Sequence, residues 1–203
     1  MNFVRLGVMW EAVETSPGQY NHTYLDEIET LVNNLGDAGI YTMIDAHQDV
    51  MARITCGEGI PDFYAKEAAE GAECHGDWSN PEFADVVKLY GECKTMDSYN
   101  YEKDENDWPL ISECNKQSFP VYYTSAESLA IFDALYENKN GLADKFVDFW
   151  GELTKKFFNN PYVIGYDPIN EPFPSDFISN PSLLQPGVFD QDKLAPLYAR
   201  IYQ

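Results

Sequence analysis

The sequence predicts an α/β fold built on a parallel sheet. Three observations predict it: three apolar runs of strand length, helical stripes between them, and glycine- or proline-rich joints where one kind of element gives way to the next. Strands alternating with helices return in the same direction, so their neighbours pair in parallel.

Residues 3–10, FVRLGVMW, are the first strand, apolar except for Arg5. A charged side chain inside such a run is rarely buried without a partner. Arg5 is therefore expected to point into the sheet's concave side, toward a carboxylate. Ser16-Pro17-Gly18-Gln19-Tyr20 is a turn signal. Over 24–38, Leu25, Ile28, Leu31, Val32 and Leu35 recur at helical spacing, and Gly36 and Gly39 are expected to close that helix. Residues 39–46 form the second strand, ending in His47-Gln48-Asp49. Over 142–158, Phe146, Phe149, Trp150, Leu153 and Phe157 lie on one stripe of a second helix. Residues 163–169 form the third strand, ending in Asn170-Glu171-Pro172. The terminal stretch 195–203 reads as the start of another helix.

All three strands stop on polar groups: Trp10-Glu11, His47-Gln48-Asp49 and Asn170-Glu171. A carboxylic acid fixed at the C-terminal end of a buried strand is placed to act as an acid catalyst. Asn170 beside it can hydrogen-bond a substrate hydroxyl, and Pro172 stiffens the chain's exit. Each feature also has a plainer reading. Arg5 could be a structural ion pair, His47 a satisfied core histidine, and 170–172 a proline-rich turn.

These residues resemble glycoside hydrolase family 5. Within it, Val4-Arg5-Leu6-Gly7-Val8-Met9-Trp10-Glu11, Pro17-Gly18-Gln19-Tyr20, Asp45-Ala46-His47-Gln48-Asp49 and Gly165-Tyr166-Asp167-Pro168-Ile169-Asn170-Glu171-Pro172 are similar to the endoglycoceramidase-related branch. The resemblance implies a partial (β/α)8 TIM barrel, about strands two to four, with a long insertion after strand three. It implies one partial catalytic domain over 1–203, with the insertion at about 56–137. The implied activity is retaining hydrolysis of O-glycosyl bonds in glycosphingolipids or related glycolipids, with water as second substrate and neither metal nor cofactor. Glu171 would be the general acid/base, in a buried setting. Asn170 would hold the sugar 2-hydroxyl, His47 and Asp49 would bind other hydroxyls, and Arg5 would support the nucleophile. A complete barrel takes about 250 residues. The family's first strand would precede Met1 and its nucleophile, on strand seven, would follow Gln203. The chain is accordingly expected to be a fragment, and no nucleophile is assigned. Two alternatives stand beside this reading: another family 5 activity, such as a β-glucanase or steryl glucosidase, and a non-catalytic carbohydrate- or glycolipid-binding half-barrel.

Lys and Arg number 13 against 34 Asp and Glu, a formal charge of −21. That balance argues against nucleic acid, whose binders carry basic patches, and against adhesion to anionic membranes. No stretch reaches the roughly 20 apolar residues of a membrane-spanning helix, so stable membrane insertion is not expected. All four cysteines, Cys56, Cys74, Cys93 and Cys114, lie between the second strand and the second helix. None forms a Cys-x-x-Cys pair and no histidine stands at zinc spacing, so no zinc site is predicted. Two disulfides, in any of three connectivities, fit an extracellular or endolysosomal protein. Four free thiols are the alternative. Asn21-His22-Thr23 is an N-glycosylation sequon of weak weight. From Cys56 to Cys114 the chain holds 15 acidic and 4 basic residues. Helical pieces are expected at 82–94 and 125–137, and mobility at 57–76. A loop this long in a compact domain is usually a lid or binding loop. Its aromatic residues, Trp78, Tyr90, Tyr99, Tyr101, Trp108, Phe119, Tyr122 and Tyr123, could face a substrate or could form a satellite cluster.

Overall fold

The computed structural model describes residues 2–202. Three strands, β1 (Phe3–Met9), β2 (Tyr41–His47) and β3 (Val163–Asp167), form one sheet in the spatial order β1-β2-β3. Both pairings are parallel. β1 and β3 are the sheet's edges, and Phe3, Ile164 and Tyr166 are exposed there.

The register decides what the two faces carry. Arg5 lies opposite Met43, Gly7 opposite Asp45, and Asp45 opposite Asp167. Side chains alternate along a strand, so Arg5, Asp45, His47 and Asp167 share one face. Val8, Thr42, Ile44 and Ala46 take the other and are buried. Gly7 permits the polar face to close up: a Cβ there would stand 3.1 Å from the His47 Cβ.

Helices cover the apolar face. α1 (His22–Asp37) buries Leu25, Ile28 and Val32, while Leu31 is exposed and Leu35 half-buried. It starts two residues before the stripe that predicted it, because Asn21 caps it. The Asn21 Oδ1 accepts from the Tyr24 backbone N–H at 3.1 Å. The sequon asparagine is thus a helix cap. The helix also runs through Gly36 rather than ending there. A Cβ at Gly36 would fall 2.1 Å from the Tyr162 ring, so this glycine makes room for an aromatic and Gly39 alone lies past the end.

Between β2 and the next sheet-covering helix come α2 (Asp62–Ala68), α3 (Ala84–Tyr90) and α4 (Ala126–Tyr136), joined by short 3₁₀ turns. α4 begins at a Ser125 cap. It buries Leu129, Ile131, Phe132 and Leu135, most of them within the main hydrophobic core. α2 occupies part of the stretch expected to be mobile, with Tyr64 and Ala65 buried. α5 (Leu142–Phe157) buries the whole predicted stripe from Phe146 to Phe157. Its Trp150 Nε1–H donates to the Pro168 carbonyl at 3.2 Å, which ties it to the exit from β3. α6 (Ala195–Ile201) buries Leu197.

Two disulfides cross-link the segment between β2 and α5: Cys56–Cys114 and Cys74–Cys93. They select one of the three possible connectivities. A second, smaller apolar cluster (Phe83, Phe177, Ile178 and Leu183) joins the Cys74–Cys93 loop to the chain that follows Glu171. Among the described residues no helix is long and apolar enough to cross a membrane.

Candidate active site

The polar face of the sheet converges on Arg5. Its Nη2 donates to Asp45 Oδ1 at 3.0 Å and to Asn170 Oδ1 at 2.7 Å, and its Nε donates to Asp167 Oδ2 at 2.9 Å. The charged residue inside the first strand therefore has two carboxylate partners, one from each other strand. Asp45 is buried and takes a second contact through Oδ2, 2.7 Å from His47 Nδ1. Burial pushes the Asp45 carboxyl above the ordinary carboxylate range, against the hydrogen bond from His47 and the charge of Arg5, which lower it.

His47 stands between two carboxylates. Its Nε2 is 3.4 Å from Asp49 Oδ2. Asp49 is held in turn by the Tyr123 hydroxyl, which donates to Oδ1 at 3.3 Å. Burial pushes the Tyr123 phenol well above its ordinary value, so it remains a donor at neutral pH. His47, Asp49 and Glu58 each bring a ligand atom within 4.8 Å of the others, a spacing a metal ion could use, although Glu58 is exposed.

Glu171 sits where the chain leaves β3. Its φ of 37° is in the left-handed region, uncommon for a residue with a side chain and found at strained functional positions. Gln48 holds it there. The Gln48 Nε2 donates to the Asn170 carbonyl at 2.7 Å and to the Glu171 carbonyl at 3.2 Å, and Oε1 accepts from the Met51 backbone N–H at 3.0 Å. Asn170 answers by donating Nδ2–H to the Gln48 carbonyl at 2.8 Å, and its own N–H reaches the Ala46 carbonyl at 3.0 Å. The ends of β2 and β3 are thus stitched together by two buried amides. The second hydrogen of the Asn170 Nδ2 has no acceptor among the described residues, since an amide carries two. Glu171 is exposed in this chain, and its carboxyl has no hydrogen-bond partner among the described residues.

The structure therefore brings Arg5, His47, Asp49, Asn170 and Glu171 to one end and one face of the sheet. Gln48, Asp45 and Asp167 join them. Sequence reasoning gave these three no role beyond a nameless carboxylate for Arg5. Their signal was position, at or beside strand ends, and nothing in residue type set them apart. Trp10-Glu11 contributes scaffolding. Trp10 is in the core, and a Glu11 carboxylate oxygen accepts from the Gly59 N–H at 3.2 Å.

Beside Glu171 opens a cavity of about 350 Å³. Val86 and Tyr90 of α3, Tyr123, and Phe173, Phe177 and Leu184 from the chain beyond Glu171 form its apolar walls. The aromatic residues of the long segment are dispersed: Trp78 packs on the second apolar cluster and Trp108 lies under the Arg53 guanidinium at 4.0 Å. Tyr90 and Tyr123 line this cavity, while Tyr122 joins the main core with Tyr99 and Tyr101 packed against it, the Tyr101 and Tyr122 hydroxyls 2.8 Å apart.

A family model described as "Cellulase (glycosyl hydrolase family 5)" matches residues 1–181. The chain belongs to glycosyl hydrolase family 5. This family 5 chain is 36% identical over its whole length to an endoglycoceramidase of Cyanea nozakii, covering 37% of it. It is 33% identical over 98% of its length to an endoglycoceramidase of Hydra vulgaris, covering 35%. The solved structure of endo-glycoceramidase II from Rhodococcus sp. in its ganglioside GM3 complex shares the fold. The TM-score is 0.67 at 23% identity, over 99% of this chain and 37% of that one. The family 5 chain spans about a third of the length of each of these relatives.

Proposed function

We propose that the chain carries the acid/base side of a retaining glycosidase active site, in a protein that releases glycans from glycosphingolipids or related glycolipids. We read the sheet as strands two to four of a (β/α)8 barrel, within a partial catalytic domain whose insertion covers about 56–137. The observation that carries the proposal is Glu171, held at a strand end by Gln48, with a sugar-binding amide on one side and an apolar cavity on the other. The names and ligand of the relatives support the substrate class.

In this reading the Glu171 carboxyl gives its proton to the glycosidic oxygen as that oxygen leaves the anomeric carbon. A second carboxylate, about 5–5.5 Å away in retaining enzymes and expected on the seventh strand, attacks that carbon from the opposite face. Glu171, now a carboxylate, takes a proton from water, and the resulting hydroxide displaces the enzyme from the sugar. Asn170 donates to the 2-hydroxyl, and His47 and Asp49 bind further hydroxyls. Arg5 sits beneath this group and favours ionised carboxylates around it. The leaving group departs past Glu171, on the side of the apolar cavity. That placement favours a lipid aglycone over a second sugar and so argues against a β-glucanase. No metal or cofactor takes part. The two disulfides support an extracellular or endolysosomal location.

The test uses the complete protein with a glycosphingolipid and a soluble β-glucan. Release of intact oligosaccharide from the lipid, lost in Glu171→Gln, is the expected result. Turnover confined to the glucan would exclude the lipid substrate. Binding without turnover, indifferent to Glu171→Gln, would leave a carbohydrate-binding protein.

A further inference from the structure

Tyr123 carries a polar atom of the cross-linked segment to the sheet's polar end. The residue is buried, and its hydroxyl donates to Asp49 Oδ1 at 3.3 Å. Among the described residues no other hydroxyl or amide donates to that carboxylate. His47 Nε2 stands 3.4 Å from its second oxygen, Oδ2. Asp49 needs such a partner. It lies on the loop after β2, where its N–H donates to the Glu58 carbonyl at 2.9 Å and its carbonyl accepts from the Glu58 N–H at 2.7 Å. That pairing fixes the Asp49 main chain and leaves its side-chain torsions to be set by something else. A carboxylate that meets a sugar hydroxyl has to be aimed as well as placed. The Tyr123 hydroxyl takes one oxygen and leaves the other facing His47.

Tyr123 is itself firmly held. It belongs to the 3₁₀ turn Phe119–Thr124. Its ring stacks on Phe132 and lies against Phe173, with centroids 6.3 and 5.1 Å away. Beside it, the Tyr122 hydroxyl donates to the Cys114 carbonyl at 2.6 Å, and Thr124 Oγ1 donates to the Tyr90 carbonyl at 3.0 Å. Cys114 is bonded to Cys56, which lies in the loop that follows Asp49. The disulfide and the Tyr123–Asp49 hydrogen bond therefore tie the same two stretches of chain together at two points. Burial, then the charge of Asp49, push the phenol up, so the hydroxyl keeps the proton it donates.

We propose that Tyr123 is a positioning residue: its hydroxyl aims the Asp49 carboxylate at a sugar hydroxyl and so sets how tightly the glycan is held. The proposal rests on the reading of Asp49 as a sugar-binding residue. It adds the group through which the segment between β2 and α5 acts on the sugar. Tyr64 provides a contrast. Its hydroxyl donates to Glu14 Oε1 at 2.8 Å, a like bond made inside the core with both residues buried.

The test uses the complete protein, with KM and kcat on detergent-dispersed lactosylceramide and lactose binding by calorimetry. Tyr123→Phe keeps the ring and removes only the hydroxyl. It is expected to raise KM and the lactose Kd by about three- to tenfold, the net weight of one hydrogen bond, and to leave kcat within about twofold. In an Asp49→Ala background the same substitution should change KM and Kd by less than about twofold, because the group it aims is gone. Tyr64→Phe should lower the melting temperature and leave KM unchanged. Unchanged KM and Kd in Tyr123→Phe, an equal loss with and without the Asp49 carboxylate, a loss confined to kcat, or the same rise in KM from Tyr64→Phe would overturn the proposal. Turnover of lactosylceramide that is indifferent to Tyr123→Phe defeats the positioning role alone. Lactose binding without turnover defeats the glycolipid reading alone, and the lactose Kd then decides on Tyr123. A wild type that neither binds lactose nor turns over the lipid defeats both.

Discussion

The sheet with α1 and α5, and the cross-linked segment between His47 and Leu142, are ordered by different means. In the first, strand register and helical stripes fix every position. Arg5 meets both Asp45 and Asp167 because parallel pairing sets the two aspartates level with each other, two positions further along the sheet on the face Arg5 shares. In the second, elements are short, 3₁₀ turns are frequent, and two disulfides and aromatic contacts hold the chain. The site draws on both. The sheet supplies the groups that can move protons or bind hydroxyls. The cross-linked segment supplies Tyr123 and part of the apolar wall, Val86 and Tyr90, and the chain beyond Glu171 supplies the rest.

Four perturbations bear on that division, and the largest effect is expected at the sheet end. Glu171→Gln in the complete protein should lower kcat by about 10²–10⁴, the usual weight of a general acid/base, with substrate affinity retained by calorimetry. A surviving rate would move the acid into the other region. Next come the cross-links. Removing Cys56–Cys114, which spans 58 residues, should cost about 4 kcal/mol on the loop-entropy scale, and removing Cys74–Cys93, which spans 19, about 3 kcal/mol. Urea unfolding of the Cys→Ser pairs measures both. An inverted order would show that something other than loop length governs the segment. Arg5→Leu should cost about 2–3 kcal/mol, because it strands Asp45 and Asp167 without their cation. Asp45→Asn in the same chain should recover part of that loss. Strict additivity would mean the sheet face is no network.

The smallest effect concerns Glu11. Burial, then Asp62 and Glu58, push its carboxyl up, although the Gly59 N–H pulls it down. A folded-state value above the unfolded one gives stability that is present below the ordinary carboxylate range and lost as pH rises through the folded value. Glu11→Gln should therefore raise the melting temperature at neutral pH by a small margin that closes in acid. A margin that widens in acid would contradict the stated cause.

Legibility follows the same division. Strands, sheet-covering helices and strand-end polar residues were readable because burial imposes a period on residue type. Arg5 announced a partner by being charged within an apolar run, but only the register names Asp45 and Asp167. Gln48 looked like one more polar residue at a strand end, and its grip on two carbonyls needs the two strands side by side. Gly36 read as a helix stop because no local pattern shows the Tyr162 ring above it. Disulfide pairing was open among three choices, since spacing does not determine which cysteines meet.

Gln48 has a consequence for any kinetic profile. The side chain that fixes the Glu171 backbone is a neutral amide, with no proton to gain or lose in the working range. Its neighbours, Asp45, His47 and Asp49, are all ionisable. The Glu171 backbone therefore keeps its anchor whatever charge those neighbours carry. An acidic or basic limb in the rate would report occupancy by protons, with geometry held constant by an uncharged bolt between two strands.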